Sequence, residues 1–365
     1  MWLWVQCPGI GAARTRQVCS AAAQAPGGLQ ELWRWSLPRL QRAFEWPESV
    51  LCSFERYRNS LGLQPCTEVP GHVLLPCESR WPACFENLER PPLSIQWRGN
   101  ADLLDLLSSQ QAIAVVGTRR PSSHGLRMAD GLGRALAQAR WPVVSGLAEG
   151  VDAAAHRACL EAGGQTVAVL GTPLHRVYPP EHRQLQQAVA DNGLLITELR
   201  DSERVTRSGF ARRNRLLAAV TRAVVLVECP RNSGALRTAA MARALDIPVW
   251  VVPADALRDS AQGSNALLGS GAEALIDPQD LIQQLGPGPC VSGALGDAGG
   301  DKQSGNAIPC SAVQSRLLNL LNDDFSFDEL VQSLQSDPES IASELLKLEL
   351  AGRVMAQPGL RWRAL

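Results

Sequence analysis

Residues 112–125 read AIAVVGTRRPSSHG. An apolar, β-branched run ends at Gly117, and Thr118, Arg119 and Arg120 follow before a proline. A hydroxyl and two guanidinium groups at the end of a strand suit anionic oxygen. Guanidinium keeps its charge at any ordinary pH and grips phosphate or carboxylate with paired hydrogen bonds. Three further stretches share this character. Residues 200–215, RDSERVTRSGFARRNR, hold six arginines against Asp201 and Glu203, a local charge of +4. Phe210 stands one residue, Ala211, ahead of Arg212, Arg213, Asn214 and Arg215. Guanidinium groups beside an aromatic ring are what a single nucleic-acid strand asks for, since the charges hold the backbone and the ring stacks a base. A charge run is more often only a solvated face; this one follows a strand at the same sheet edge as the first turn, which favours a site. Ser233-Gly234 in CPRNSGALRTAAMA and Ser145-Gly146 in SGLAEGVDAAAHR are small-residue turns between strand and helix, where backbone N–H groups can seat an anion.

Other chemistry is absent from the sequence. Lys302 and Lys347 are the two lysines, so residues 112–285 offer neither a P-loop lysine nor a Schiff-base lysine. The G-x-G-x-x-G fingerprint is missing, and Ser145-Gly146 stands where a dinucleotide fold places an acidic residue for the ribose. Asp152 and His156 are four residues apart on one helix face, but no third ligand joins them, and a cap and packing role is expected for both. His175 and His182 show no ligand spacing. With no nucleophile motif, paired carboxylates or metal cluster visible, we expect binding rather than turnover, with no catalytic residues, no cofactor and no metal.

The elements that must position these turns form a repeating pattern. Short apolar strands are expected at 112–116, 143–146, 166–170, 194–197, 223–228 and 249–252, with helices such as 125–139 and 235–245 between them. Strands of this kind are buried on both faces of a parallel sheet. The fold class is α/β, a doubly wound sheet. In such a sheet, ligands bind at the carboxyl ends of the strands, where all four turns lie. Residues 286–310 are rich in Gly, Ser and Pro and read as a flexible linker. The segment 311–365 reads as three short helices and a hairpin, a winged helix, with Asp337 as N-cap and Pro338 at N1. The first seventy residues read as a helical region in which Pro8-Gly9-Ile10-Gly11 is either a helix-hairpin-helix turn or an ordinary αα-hairpin. The expected domains are thus 1–70, 71–285, 286–310 and 311–365.

Charge is uneven. Counting along the sequence gives 19 basic and 16 acidic residues in 112–285, and 5 and 8 in 311–365, so the middle carries +3 and the tail −3. The acidic tail should repel phosphate, and the winged helix is expected to contact protein or the core domain rather than duplex DNA. No apolar run reaches the ~18 residues needed to span a bilayer. The N-terminus lacks the basic start of a secretory signal. Ten cysteines without C-x-x-C pairs, of which Cys52, Cys66, Cys77 and Cys84 come nearest to a cluster, read as reduced thiols of a cytoplasmic protein.

Taken together, AIAVVGTRRPSSHGLR, VVSGLAEGVDAAAHRACLEAGGQTVAVLGTPLHRVYPPEHRQL, GLLITE, FARRNRLLAAVTRAVVLVE, NSGALRTAAMARAL and VPADALRDSAQGSNALLGSGA resemble the DNA-processing protein A family, DprA or Smf. WPACFENLERPPLSIQWRGN resembles its lead-in to the first strand. The resemblance covers residues 75–285 and extends more loosely to a helix-hairpin-helix or SAM-like start and the winged-helix tail. It implies an extended Rossmann domain that binds single-stranded DNA in a basic pocket without sequence preference. It further implies a homodimer and recruitment of a RecA-type recombinase, loaded on incoming DNA that is protected during natural transformation. Gly117-Thr118-Arg119 match the family's Gly-Ser-Arg motif, and Arg212, Arg213, Asn214 and Arg215 its arginine-asparagine-arginine motif. Ser145-Gly146 and Ser233-Gly234 match its other pocket turns. The chain departs from the family at Glu149, where many members have arginine. It departs again at Ala211, where a proline often stands, and at Ala254, where a glycine is usual. The family's pocket lysines are missing, so arginines must supply all the positive charge. Two other classes stay open. One is a nucleotide phosphoribohydrolase of the LOG type, against which NSGALRTAA lacks the Gly-Gly-x-Gly-Thr run and its glutamate. The other is a nucleotide sensor acting through the winged helix.

Overall fold

The computed structural model describes residues 1–65 and 68–290, and beyond them residues 330, 341–342, 345, 347–348, 354–357 and 361–364. Residues Met1–Ser292 make one compact unit and Gly293–Leu365 another.

Nine strands form the sheet of the first unit: β1 (Val73–Leu74), β2 (Ile95–Gly99), β3 (Ile113–Val116), β4 (Val143–Ser145), β5 (Thr166–Val169), β6 (Leu194–Thr197), β7 (Ala223–Leu226), β8 (Val249–Val251) and β9 (Glu273–Ala274). Their order is β1-β2-β6-β5-β4-β3-β7-β8-β9. All six expected strands are present, running parallel from β6 to β8. The sequence reading did not anticipate β1, β2 or β9. Antiparallel β2 pairs with β6 in the register Gln96↔Thr197, extending the sheet with residues that follow two prolines.

Helices cover both faces because each central strand is apolar on both sides. After five helices before the sheet (α1 Trp2–Gln6, α2 Ala12–Gln24, α3 Gly28–Arg34, α4 Leu37–Phe44, α5 Glu48–Leu61) come α6 (Asp102–Ser108), α7 (Ser123–Gln138), α8 (Val151–Glu161), α9 (Arg183–Asn192), α10 (Arg207–Ala219), α11 (Gly234–Ala244), α12 (Gln262–Leu268) and α13 (Pro278–Leu285). Ile113 and Val115 face the layer of α7, α8 and α13, packing with Leu132, Val151 and Leu281. Ala114 and Val116 face the opposite layer, packing with Leu103 of α6, Leu216 of α10 and Ala239 of α11. This alternation is the period of two that a strand imposes. Burying both faces fixes the height of each strand, and so aligns the strand ends that carry the turns.

Helices α1–α5 have a core of their own. Trp4 stacks on Phe54 with centroids 5.0 Å apart, and Trp33 meets both edge-on. Two arginine contacts tie this region to the sheet: Arg16 donates to the Pro91 carbonyl and Arg200 to the Val5 carbonyl. Pro8 to Gly11 lies between α1 and α2, with Gly9 at φ 83° and Gly11 as the N-cap of α2.

At the far end of the sheet domain, the N–H groups of Gly288 and Cys290 donate to the carbonyls of Ala139 and Arg140, laying 286–290 along the turn before β4. The rest of the expected linker lies outside the described residues, as do Asp337 and Pro338. In the second unit Leu330, Ile341, Leu345 and Leu348 are helical and buried. Strands β10 (Val354–Gln357) and β11 (Arg361–Ala364) make the expected antiparallel hairpin, Val354 opposite Ala364. No helix among the described residues is long and apolar enough to cross a membrane.

Candidate functional site

The turn after β3 is set by its neighbours. At Gly117 a Cβ would fall 2.6 Å from Val151 Cγ2 and 2.9 Å from the Glu228 carbonyl oxygen, so a side chain has no room. Thr118 donates its N–H to that same carbonyl, and its own carbonyl accepts from Val151 N. Ser122 caps α7, its Oγ accepting from Gly125 N at 3.1 Å, the usual service of a serine at a helix start. The fully buried Glu228 at the end of β7 holds the turn in place. One carboxylate oxygen accepts from Ser122 Oγ at 2.7 Å and Ser122 N at 3.1 Å, and the other accepts from Ser260 Oγ. Burial acts to raise this carboxyl, but the hydrogen bonds from Ser260 and Ser122 outweigh it and hold it below its ordinary value.

Between β4 and α8, Ser145 is fully buried and its Oγ donates to the Val115 carbonyl at 2.6 Å. Asp152 Oδ2 accepts from Gly146 N at 3.1 Å and Ala148 N at 3.4 Å, so it caps the turn as expected. His156 is buried with Nδ1 2.6 Å from Thr166 Oγ1. Gly150, at φ 78°, brings this turn against the first one.

Helix α10 divides its basic residues between two faces. Residues 210, 213, 214 and 217 fall on one helical stripe and residues 212 and 215 on another. Arg212 Nε donates to Glu198 Oε1 at 3.0 Å, and Arg215 Nη2 donates to the other oxygen of the same carboxylate. On the inner stripe, Arg213 is 7% exposed. Its Nη1 donates to the Gly146 carbonyl at 2.8 Å and to the Val169 carbonyl, and its Nε to Asn214 Oδ1 at 3.0 Å. Asn214 Nδ2 donates to the Gly234 carbonyl at 3.1 Å. These two side chains bolt α10 to the ends of β4 and β5 and to the start of α11. Ser233 caps α11, its Oγ accepting from Ala235 N.

The turns enclose a cavity of ≈ 450 Å³ at the carboxyl ends of the strands. Of the residues the sequence singled out, Gly117, Thr118, Arg119, Arg120, Phe210, Arg213, Asn214, Ser233 and Gly234 line it. Ser145, Gly146, Arg212 and Arg215 do not: the first two lie behind its wall, and the two arginines are held by Glu198 outside it. Arg237 and Asp152 also line it, and the sequence reading gave neither to the site. Arg237 was legible, since it stands four residues after the cap Ser233 and so on the same side of the helix. Arg119, Arg120 and Arg237 are exposed, and no acidic group among the described residues lies within 4 Å of any of them.

Asp152 is the one acidic residue in the lining. Burial raises its carboxyl above the ordinary value, against the opposing pull of Arg213 and the two backbone N–H groups. Burial likewise lowers the Arg213 guanidinium; Asp152 counteracts this and Arg119 adds to it. The backbone N–H groups of Arg119 and Gly234 have no acceptor among the described residues. Three unpaired guanidinium groups, a threonine hydroxyl and free N–H groups around one concave space form a seat for phosphate. Among the described residues, no group of three or more His, Cys, Asp or Glu side chains is placed to hold a metal ion.

Comparison with known proteins adds to this geometry. Residues 72–286 match the family model described as DNA recombination-mediator protein A, and residues 302–359 match the DprA winged helix domain. A putative DNA processing protein DprA from Mycobacterium tuberculosis is 35% identical over 81% of this chain and 77% of its own length. Protein Smf from Synechocystis is 28% identical over 99% of this chain and 98% of its own. Among solved structures, DNA processing protein A of Streptococcus pneumoniae superposes with a TM-score of 0.65 at 25% identity, covering 77% of this chain and 95% of that one. The Helicobacter pylori protein, whose single-stranded DNA binding mode that structure describes, gives 0.52 at 30% identity, covering 56% and 92%.

Proposed function

The chain belongs to the DNA recombination-mediator protein A family, and on that premise we propose that it binds single-stranded DNA in the cavity at the carboxyl edge of its sheet. The observation that carries this reading is the set of three exposed, unpaired arginines, Arg119, Arg120 and Arg237, converging on one cavity with Phe210 in its wall. Backbone phosphate would sit on the Gly117–Arg120 turn and at the start of α11, and a base would stack on the ring. Family membership and the homology to the H. pylori protein support the same ligand. The protein then acts by binding, without catalysing a reaction. It works in the cytoplasm as a homodimer, protects incoming DNA and loads a RecA-type recombinase on it during natural transformation. Faster recombinase assembly on protein-coated oligonucleotide is the expected sign of loading, and no acceleration would remove that part of the proposal.

Fluorescence anisotropy of a labelled oligo-dT, with wild type and Arg119→Glu at several salt concentrations, tests the binding site. We expect salt-sensitive binding by the wild type. With three or four neutralised phosphates, the slope of log K against log salt should be about −2 to −3. Arg119→Glu should weaken binding at least tenfold while leaving the fold intact, because the Arg119 side chain is exposed and has no hydrogen bond or ion pair among the described residues. Binding indifferent to this substitution would take the strand out of the cavity.

A further inference from the structure

Residues 112–290 contain four aromatic side chains: Trp141, Tyr178, Phe210 and Trp250. The two tryptophans are core, at 5% and 7% exposure. The other two pack against each other, their ring centroids 5.0 Å apart and their planes tilted by 48°. Phe210 lines the cavity and is fixed from behind, since its ring lies so close to Gly171 that a Cβ there would stand 3.0 Å from Cε1. Tyr178 extends this surface outward. It sits in the connection after β5, where Pro179 is buried and the tyrosine remains 46% exposed. Its hydroxyl has no partner among the described residues. A tyrosine placed this way contributes little to the core.

We propose that Tyr178 is a nucleobase-stacking residue of the candidate site, the outer half of a two-ring platform with Phe210. The inference rests on the single-stranded DNA reading of the cavity. The base does not enter between the rings. Two stacked contacts of ~3.5 Å each would need centroids about 7 Å apart, and these are 5.0 Å apart. It stacks on the free face of Tyr178, with Phe210 backing the ring. The end of β5 lies two strand intervals from the end of β3, about 10 Å at the usual sheet spacing. Phe210, against which Tyr178 packs, rests on Gly171 just past the end of β5, so a phosphate on the Gly117 turn and a base on this ring pair are separated on the scale of one or two nucleotides. Because every base has a π-face, such a contact adds affinity without choosing sequence. It also leaves the number of neutralised phosphates unchanged.

The test compares wild type, Tyr178→Ala and Tyr178→Trp on oligo-dT and on a strand of equal length made of abasic sites. Thermal unfolding checks that all three fold alike. We expect Tyr178→Ala to bind oligo-dT about tenfold more weakly, with the same salt slope, and Tyr178→Trp to bind as wild type. On the abasic strand, wild type and Tyr178→Ala should bind equally. A 2-aminopurine placed in the strand should be quenched by wild type and less so by Tyr178→Ala. Equal affinity of wild type and Tyr178→Ala for oligo-dT, or an equal loss on both strands, would overturn the assignment. If Arg119→Glu still abolishes binding in that case, the site survives and Tyr178 alone is excluded. A wild type that binds neither strand overturns both readings.

Discussion

Glu228 touches no ligand in the proposed complex, yet the phosphate seat depends on it. Its carboxylate carries Ser122 on one oxygen and Ser260 on the other, and its carbonyl carries Thr118 N. Since the folded state holds this carboxyl below 4.5, its ordinary value, the charged form is bound more tightly folded than unfolded. Its stabilisation is therefore complete above the unfolded value and lost as pH falls through the folded one. Glu228→Gln should lower the unfolding free energy by about 2 kcal/mol at pH 7, the scale of hydrogen bonds to a buried charge. In urea titrations the gap from wild type should close as the pH is taken well below 4.5. A gap of constant size at all pH values would show that the charge is not what matters. The neighbouring arginines illustrate the opposite case. Arg212, Arg213 and Arg215 look alike in sequence, but Glu198 occupies two of them, and three hydrogen bonds from Arg213 make it part of the wall.

At the scale of elements, the central sheet was legible because each inner strand is a continuous apolar run that only a two-sided burial explains. Strands β1, β2 and β9 were not: β1 and β9 are two residues long, and β2, IQWRG, is no continuous apolar run and ends exposed. Pairing with an existing edge, not local composition, makes them strands. The turns of the site were equally readable, since strand, small residue and helix follow one another in each. What the turns needed from one another was not. Gly150 is the clearest case: at φ 78° it takes a conformation that side chains avoid. A Cβ there would also stand 2.7 Å from Pro121 Cδ and 2.8 Å from the Arg119 carbonyl carbon. Gly150→Ala should cost roughly 2 kcal/mol through strain and overlap. In a thermal melt this appears as a drop of several degrees, and oligo-dT affinity should fall with it as the β3 turn is displaced. A variant that melts and binds like wild type would mean that the two turns are not coupled.

At the scale of the molecule, the positive site sits in a chain of net charge −1, so the attraction for a polyanion is local and short-ranged at physiological salt. A homodimer would set two such sites in one particle. Sedimentation at micromolar concentration should show a species of twice 39.3 kDa, and a profile that stays at the monomer mass would exclude the dimer. The all-arginine site has one further consequence. The first lysine of the chain is Lys302, and no lysine stands among the residues that line the cavity. Lysine acetylation, which discharges ammonium groups on other proteins, has no acceptor among these lining residues, and amine-directed labels will not react with them. The grip can be loosened by salt, by a competing anion or by a partner, but not by acylation of a lysine at the site.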